Sequence, residues 1–171
     1  VNKDEKQSKE ALDALIYTGE LEKEKSGDLF WRDLANYYQK ASTEKLSKLK
    51  QAKDQYFQTI LGKNATIRNA DYKQSITELE ESKKLYLEAE NNLETKMIDF
   101  LISYLINRDA KISESNENLK ILADFCQQAN YKWLETQALT WIAANNLSER
   151  KLSLANLTTK RALNLSNETN D

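Results

Sequence analysis

Cys126 is the single thiol of a chain that has no histidine, and those two facts remove most nucleophilic chemistry. Ser-His-Asp and Cys-His systems need an imidazole to take the proton, and zinc sites of the Cys/His type need both residue types. The three glycines stand isolated at 19, 27 and 62, so no loop with glycines at fixed offsets can cradle a phosphate. Carboxylates remain, with Glu78, Glu80 and Glu81, and then Glu88 and Glu90, close together in sequence. On one helix such charges form a solvated face far more often than an acid-base pair, and spacings such as Glu44 to Lys48 fit ion pairing along a helix. Cys126 lies with Leu122, Phe125 and Ala129 on an apolar stripe, where a cysteine packs as a small hydrophobe. No enzymatic activity, metal or cofactor is expected.

Binding chemistry is no more pointed at this level. Lys40, Lys45, Lys48, Lys50 and Lys53 are the densest basic cluster, but they spread around a helix and Glu44 and Asp54 dilute them. With 25 basic and 27 acidic side chains interleaved, the net charge of −2 favours neither nucleic acid nor an anionic surface. Trp31, Trp133 and Trp141 sit at helical spacing and read as core rather than as exposed anchors. The mean hydropathy is −0.76, and no apolar run approaches the roughly 18 residues of a membrane span. A soluble protein without membrane insertion is expected, with cytoplasmic placement slightly favoured. The chain begins at Val1, which reads as a processed product or, preferably, a segment of a longer protein.

The elements that must carry these residues are helices. Proline is absent and glycine occurs only 3 times, so the residues that interrupt helices are missing. Helical spacing of apolar residues places a first helix over about Asp4 to Lys25, ended by Gly27, with Asp28 capping a second that carries Phe30, Leu34, Tyr37, Tyr38 and Ala41. Ser42 caps a third, which runs to Gly62, and GKNATIRNAD is the longest break between helices. A fourth covers about Ala70 to Glu90 and a fifth follows. The stretch Asn107 to Asn116 reads as polar connection, and a sixth helix carries Leu119, Leu122, Phe125, Cys126 and Ala129. A seventh follows Asn130-Tyr131, an eighth runs from about Ser148 to Leu165, and the tail SNETND is expected to be disordered. Period-two alternation is nowhere sustained, so no strand is expected.

Two of these helices echo each other. LETKMIDFLISYL from Leu93 matches LETQALTWIAANNL from Leu134 at a shift of 41 residues, with Ile98 on Leu139, Phe100 on Trp141 and Leu101 on Ile142. In the helices before them Leu79 and Leu119, and Ala89 and Ala129, are 40 apart. The unit is a helix pair of about 40 residues, and such pairs stack. The segment ADYKQSITELEESKKLYLEAEN resembles the second helix of a tetratricopeptide repeat, with Asp71-Tyr72 followed by Ser75, Leu79 and Ser82 at that family's spacings. In the same scheme Leu101 and Ile142 fall where the family's first helix has a leucine, and Ile102 and Ala143 at its usual glycine or alanine. The family's closing proline is absent, Ile102 is bulky for its place, and the eighth helix fits two registers, Ser153 with Leu157 or Ala155 with Ala162. GDLFWRDLANYYQKAS, LSKLKQAKDQY and NYKWLETQAL together are similar to tetratricopeptide segments of large bacterial signalling proteins, which resemble one another in placing such an array beside a caspase-like CHAT domain or a kinase.

The expected architecture is all-α: about eight helices, residues 1–45 as N-terminal helices that could cap, 46–165 as degenerate repeats stacked in a short right-handed superhelix, and 166–171 as tail. The resemblance implies a concave side lined by first helices, whose exposed residues would be Lys96, Asp99, Ser103 and Asn107 in one unit and Gln137, Thr140, Ala144 and Asn145 in the next. Asn107 and Gln137 would hydrogen-bond a peptide backbone while Lys96 and Asp99 select charge. The expected partner is a protein or peptide. The alternative is a structural spacer or homodimerisation element with no free ligand groove, its groove empty or filled by its own first helix.

Overall fold

The computed structural model describes residues 3–62 and 65–169, with side chains placed from residue 6. These residues form eight helices: α1 (Lys3–Ser26), α2 (Phe30–Lys40), α3 (Thr43–Leu61), α4 (Tyr72–Glu88), α5 (Asn92–Arg108), α6 (Ile112–Ala129), α7 (Lys132–Ser148) and α8 (Leu152–Thr169). No strand occurs among the described residues. From α3 onward each helix packs antiparallel against the next, so the chain is an all-helical stack of repeat-like units.

The connections are what make the stack regular. Ala70, Glu90, Ala110, Asn130 and Arg150 all have positive φ, at intervals of 20 residues. After each, the next backbone N–H reaches back five residues to a carbonyl, of a turn for Asp71 to Thr66 and of a helix for Asn91 to Tyr86, Lys111 to Ile106, Tyr131 to Cys126 and Lys151 to Asn146, at 2.8–3.1 Å. This is the closure that satisfies the last carbonyls of a helix and reverses the chain. A side chain in the left-handed region costs roughly 1–2 kcal/mol, which the recovered hydrogen bonds offset. Asp71 and Asn91 then cap the following helices by accepting from Gln74 and Glu94 N–H.

Burial follows the same period. Ser75, Thr95, Ser115, Glu135 and Ala155 are all buried, and so are Ser82, Ile102, Leu122, Ile142 and Ala162. Small residues let adjacent helices approach; Ser82 Oγ donates to Ala52 O on α3 at 2.9 Å. The two registers open for α8 resolve in favour of Ala155 and Ala162, which are buried, while Leu157 is exposed. The shift of 41 between α5 and α7 is one residue out of register. A shift of 40 carries buried Thr95, Ile98, Ile102, Ser103, Leu105 and Ile106 onto buried Glu135, Ala138, Ile142, Ala143, Asn145 and Asn146. A shift of 41 puts Ser103 on Ala144 and Ile106 on Leu147, both exposed. The turns set the register, and the shared letters Leu-Glu-Thr do not.

Two boundaries also differ from expectation. Most of the polar stretch Asn107 to Asn116 is helical, because the turn needs only residues 109–111 and Ser115 and Asn116 are polar residues buried between helices. Of the tail 166–171, expected to be disordered, residues 166–169 continue α8, and 170–171 lie outside the described residues; Thr169 is buried, and Glu168 pairs with Lys132 Nζ at 2.6 Å.

Helices α1 and α2 form a hairpin that lies back over the stack. Gly19 of α1 meets the α2 backbone so closely that a Cβ there would be 2.6 Å from Arg32 Cα. From this hairpin α2 packs against α5 and α7, and α1 against α8. Phe30 and Leu34 enter a core with Leu119, Leu122, Leu134 and Ile142, while a second core joins Leu49, Ala52, Leu79, Ile98 and Leu105.

Candidate interaction surfaces

Helix α2 packs against α5 and α7 beside, and not on, the residues expected to line a groove, meeting α5 at Glu94 and α7 at Trp133. Its docking is written into the short turn Ser26 to Leu29. Gly27, with φ of 74°, ends α1, and Asp28 begins the second helix from one residue before the N-cap, Leu29. Asp28 is 1% exposed; one carboxylate oxygen accepts from Phe30 N–H at 2.8 Å and the other from Trp133 N–H, at the start of α7, at 2.6 Å. Both donors are orphan N–H groups at helix N-termini, where a negative charge is favoured. Leu29 N–H donates to Asn130 O at 3.1 Å, Asn130 Nδ2 to Gly27 O, and Lys132 Nζ to Ser26 O at 2.6 Å. The sequence made Asp28 the N-cap itself; the cap position is Leu29, and Asp28, one residue earlier, accepts from the first helical N–H. Its second bond joins residues 105 apart, and nothing local signals it.

Further along α2, Tyr38 Oη donates to Glu94, which also pairs with Lys53 at 3.4 Å, and Lys53 stands 4.7 Å from the centre of the Tyr38 ring. Burial, then the Glu94 charge, pushes the Tyr38 hydroxyl well above the ordinary tyrosine range, so it stays a donor. Trp31 and Trp133 stack at 5.1 Å and Phe30 meets Trp133 at 5.5 Å, so these tryptophans are spent on the docked hairpin.

The residues expected to line one groove separate into three places. Lys96, Asp99 and Ser103 come together in a cleft of about 250 Å³ floored by α5 and walled by Glu80 and Lys83 of α4 and by Asn118 and Ile121 of α6. Asp99 pairs with Lys83 at 2.8 Å and Lys96 at 2.9 Å, and Ser103 Oγ donates to Asp99 O at 2.7 Å. Burial alone would depress the Lys83 ammonium, but the hydrogen bond and charge of Asp99, with Glu80 beside it, hold it above the usual lysine range. Asp99 occupies the position at which Leu79, Leu119 and Leu139, one or two helices away, are buried. A carboxylate therefore stands where the repeat has its filling leucine, and the gap between α4 and α6 stays open and polar.

Asn107 and Asn145 are used internally. Asn107 Nδ2 donates to Asn145 Oδ1 at 2.7 Å, and Asn145 Nδ2, 2% exposed, donates to Asn116 at 3.0 Å and Ser115 at 3.3 Å. Their carboxamides tie α5, α6 and α7 together, because a buried amide needs its partners supplied by the fold. Asn145, expected on an exposed face, is thus a core residue. Gln137 is half-buried. Thr140 donates back to Thr136 O at 2.8 Å and, with exposed Ala144, borders a shallow apolar groove between α7 and α8 that includes Leu147 and Leu152.

Among the described residues no helix is long and apolar enough to cross a membrane. Cys126 is fully buried, and burial first, then the Glu135 charge, pushes its thiol up to about 12. Comparison of the chain with protein-family models, with curated proteins and with solved structures finds no match.

Proposed function

We propose that the chain is a non-catalytic protein-interaction module, a tetratricopeptide-like scaffold or sensor segment that holds a peptide or neighbouring domain by surface complementarity. The observation that carries this reading is Asp99 at a repeat-leucine position. A repeat that forgoes a buried leucine for a carboxylate between two lysines gives up packing energy, and such local departures accumulate at functional sites. An extended segment laid along the α4–α6 cleft would exchange its own charges with Lys83, Asp99 and Lys96 and meet the hydrogen-bonding groups of Asn118. The cleft keeps Lys96 and Asp99 of the expected α5 face as contact residues and joins them to α4 and α6 rather than to α7.

The test is selection from a displayed random-peptide library against the folded chain and against its Asp99→Leu variant. Sequences with paired charges that bind the first and lose about tenfold or more on the second support the cleft. No enrichment, or binding indifferent to Asp99→Leu, sinks it. A spacer or dimerisation element is the second reading, favoured by the exposed leucines at 147, 152, 157 and 163. Light scattering over a range of concentrations separates the two, because self-association doubles the mass.

A further inference from the structure

The groove between α7 and α8 repeats a place in the fold that is already filled once. Forty residues earlier, α5 and α6 form the equivalent groove, and α7 lies in it. There α7 sets Trp141 against Tyr104, with ring centres 4.7 Å apart, and Asn145 against Asn107, Ser115 and Asn116. Carried forward by 40, Tyr104 becomes Ala144, Asn107 becomes Leu147, Ser115 becomes Ala155, and Asn116 becomes Asn156. All four border the α7–α8 groove, of about 390 Å³, together with Leu152. Leu147 is 60% and Leu152 64% exposed, so the apolar lining faces water.

We infer that this groove is a docking site for an amphipathic α-helix of a partner protein, seated as α7 is seated on α5 and α6. The site continues, one repeat on, an interface the chain makes internally, and the substitutions along it specify the occupant. Alanine in place of Tyr104 leaves room for a large aromatic or leucine where α7 has Trp141. Leucine and alanine in place of Asn107 and Ser115 remove two of the three partners that Asn145 has, leaving only Asn156 in the place of Asn116, so the occupant carries an aliphatic residue where α7 has Asn145. Helix-in-groove recognition of this kind reads apolar side chains at i, i+3, i+4 and i+7. This goes beyond the reading of the α4–α6 cleft and stands independently of it.

The probe is a labelled synthetic peptide with the sequence of residues 131–149 carrying Asn145→Leu, titrated against the whole chain by fluorescence anisotropy. Saturable binding is expected, weakened at least about tenfold by Leu152→Glu in the protein, a change at an exposed position that leaves the circular dichroism spectrum intact. The unaltered 131–149 peptide is expected to bind several-fold more weakly, because its asparagine meets leucine and alanine and keeps only Asn156 of its three partners. Asp99→Leu leaves the titration unchanged. No saturation, or the same affinity for Leu152→Glu, overturns the proposal. So does a protein that is dimeric by light scattering and becomes monomeric on Leu152→Glu, since the groove then belongs to a second copy.

Discussion

Asp28→Ala tests how the N-terminal hairpin is held. The carboxylate is 1% exposed and accepts from the N–H groups of Phe30 and Trp133, which begin α2 and α7. Truncation leaves both donors buried without that acceptor, and each such loss costs about 1–3 kcal/mol, toward the upper end where the acceptor is charged. Partial entry of water reduces the sum, giving a loss of about 3–4 kcal/mol out of the roughly 5–15 kcal/mol of a typical domain. Asp28→Asn keeps one carbonyl acceptor but presents an NH2 group to the other N–H, and should lose about half as much. Urea unfolding followed by circular dichroism and by the fluorescence of Trp31 and Trp133 reads this directly. With a slope of about 2–3 kcal/mol/M for urea, the alanine midpoint falls by roughly 1–2 M and the slope stays constant. Because Phe30 and Leu34 share a core with α6 and α7, both probes should report one transition. A loss under about 1 kcal/mol for alanine, or equal losses for alanine and asparagine, would refute the two-donor account.

Gly19→Ala, which ordinarily stabilises a helix by up to about 1 kcal/mol, should here cost about 2 kcal/mol, because the new Cβ meets Arg32 Cα and N at 2.6 Å. A melting temperature lower by about 4–8 °C is expected, and a rise would show that the two helices separate freely. Asp99→Leu should stabilise the fold by about 1 kcal/mol in urea, since burying a leucine outweighs two partly exposed ion pairs, and a loss would mean the carboxylate is structural. Alkaline pH should unfold the chain: burial raises the hydroxyls of Tyr38 and Tyr86 above the ordinary value of 10.0, lifts Tyr131 to about 12, and lifts the Cys126 thiol from 9.0 to about 12. Each group holds its proton more tightly when folded, so its contribution is complete below the unfolded value and is lost as pH climbs through the folded one. Stability should fall from about pH 9 upward, with tyrosinate absorbance and helix loss rising together; tyrosines ionising near 10 with helices intact would contradict this.

The order of helices was legible because proline is absent, glycine is confined to 19, 27 and 62, and apolar residues recur every three or four positions. Those are local properties, and a helix needs only local hydrogen bonds. Ser75, Leu79 and Ser82 could be named in advance as a packing face, and all three are fully buried. The register between units was not legible. Turns with positive φ at Glu90, Ala110 and Arg150 use residue types that carry no turn signature, so the period of 20 became visible only in the backbone, and Leu-Glu-Thr misled by one residue. One residue is 100° on a helix, so a slip of one pairs buried Ser103 with exposed Ala144; Ser103 and Asn145, both expected on an exposed face, are core residues. The placement of α1 and α2 was decided by tertiary structure alone. An aspartate that accepts from the first N–H of its own helix looks the same in sequence whether or not its second oxygen reaches Trp133, and that oxygen, with Phe30 and Leu34 behind it, holds α2 against α5 and α7.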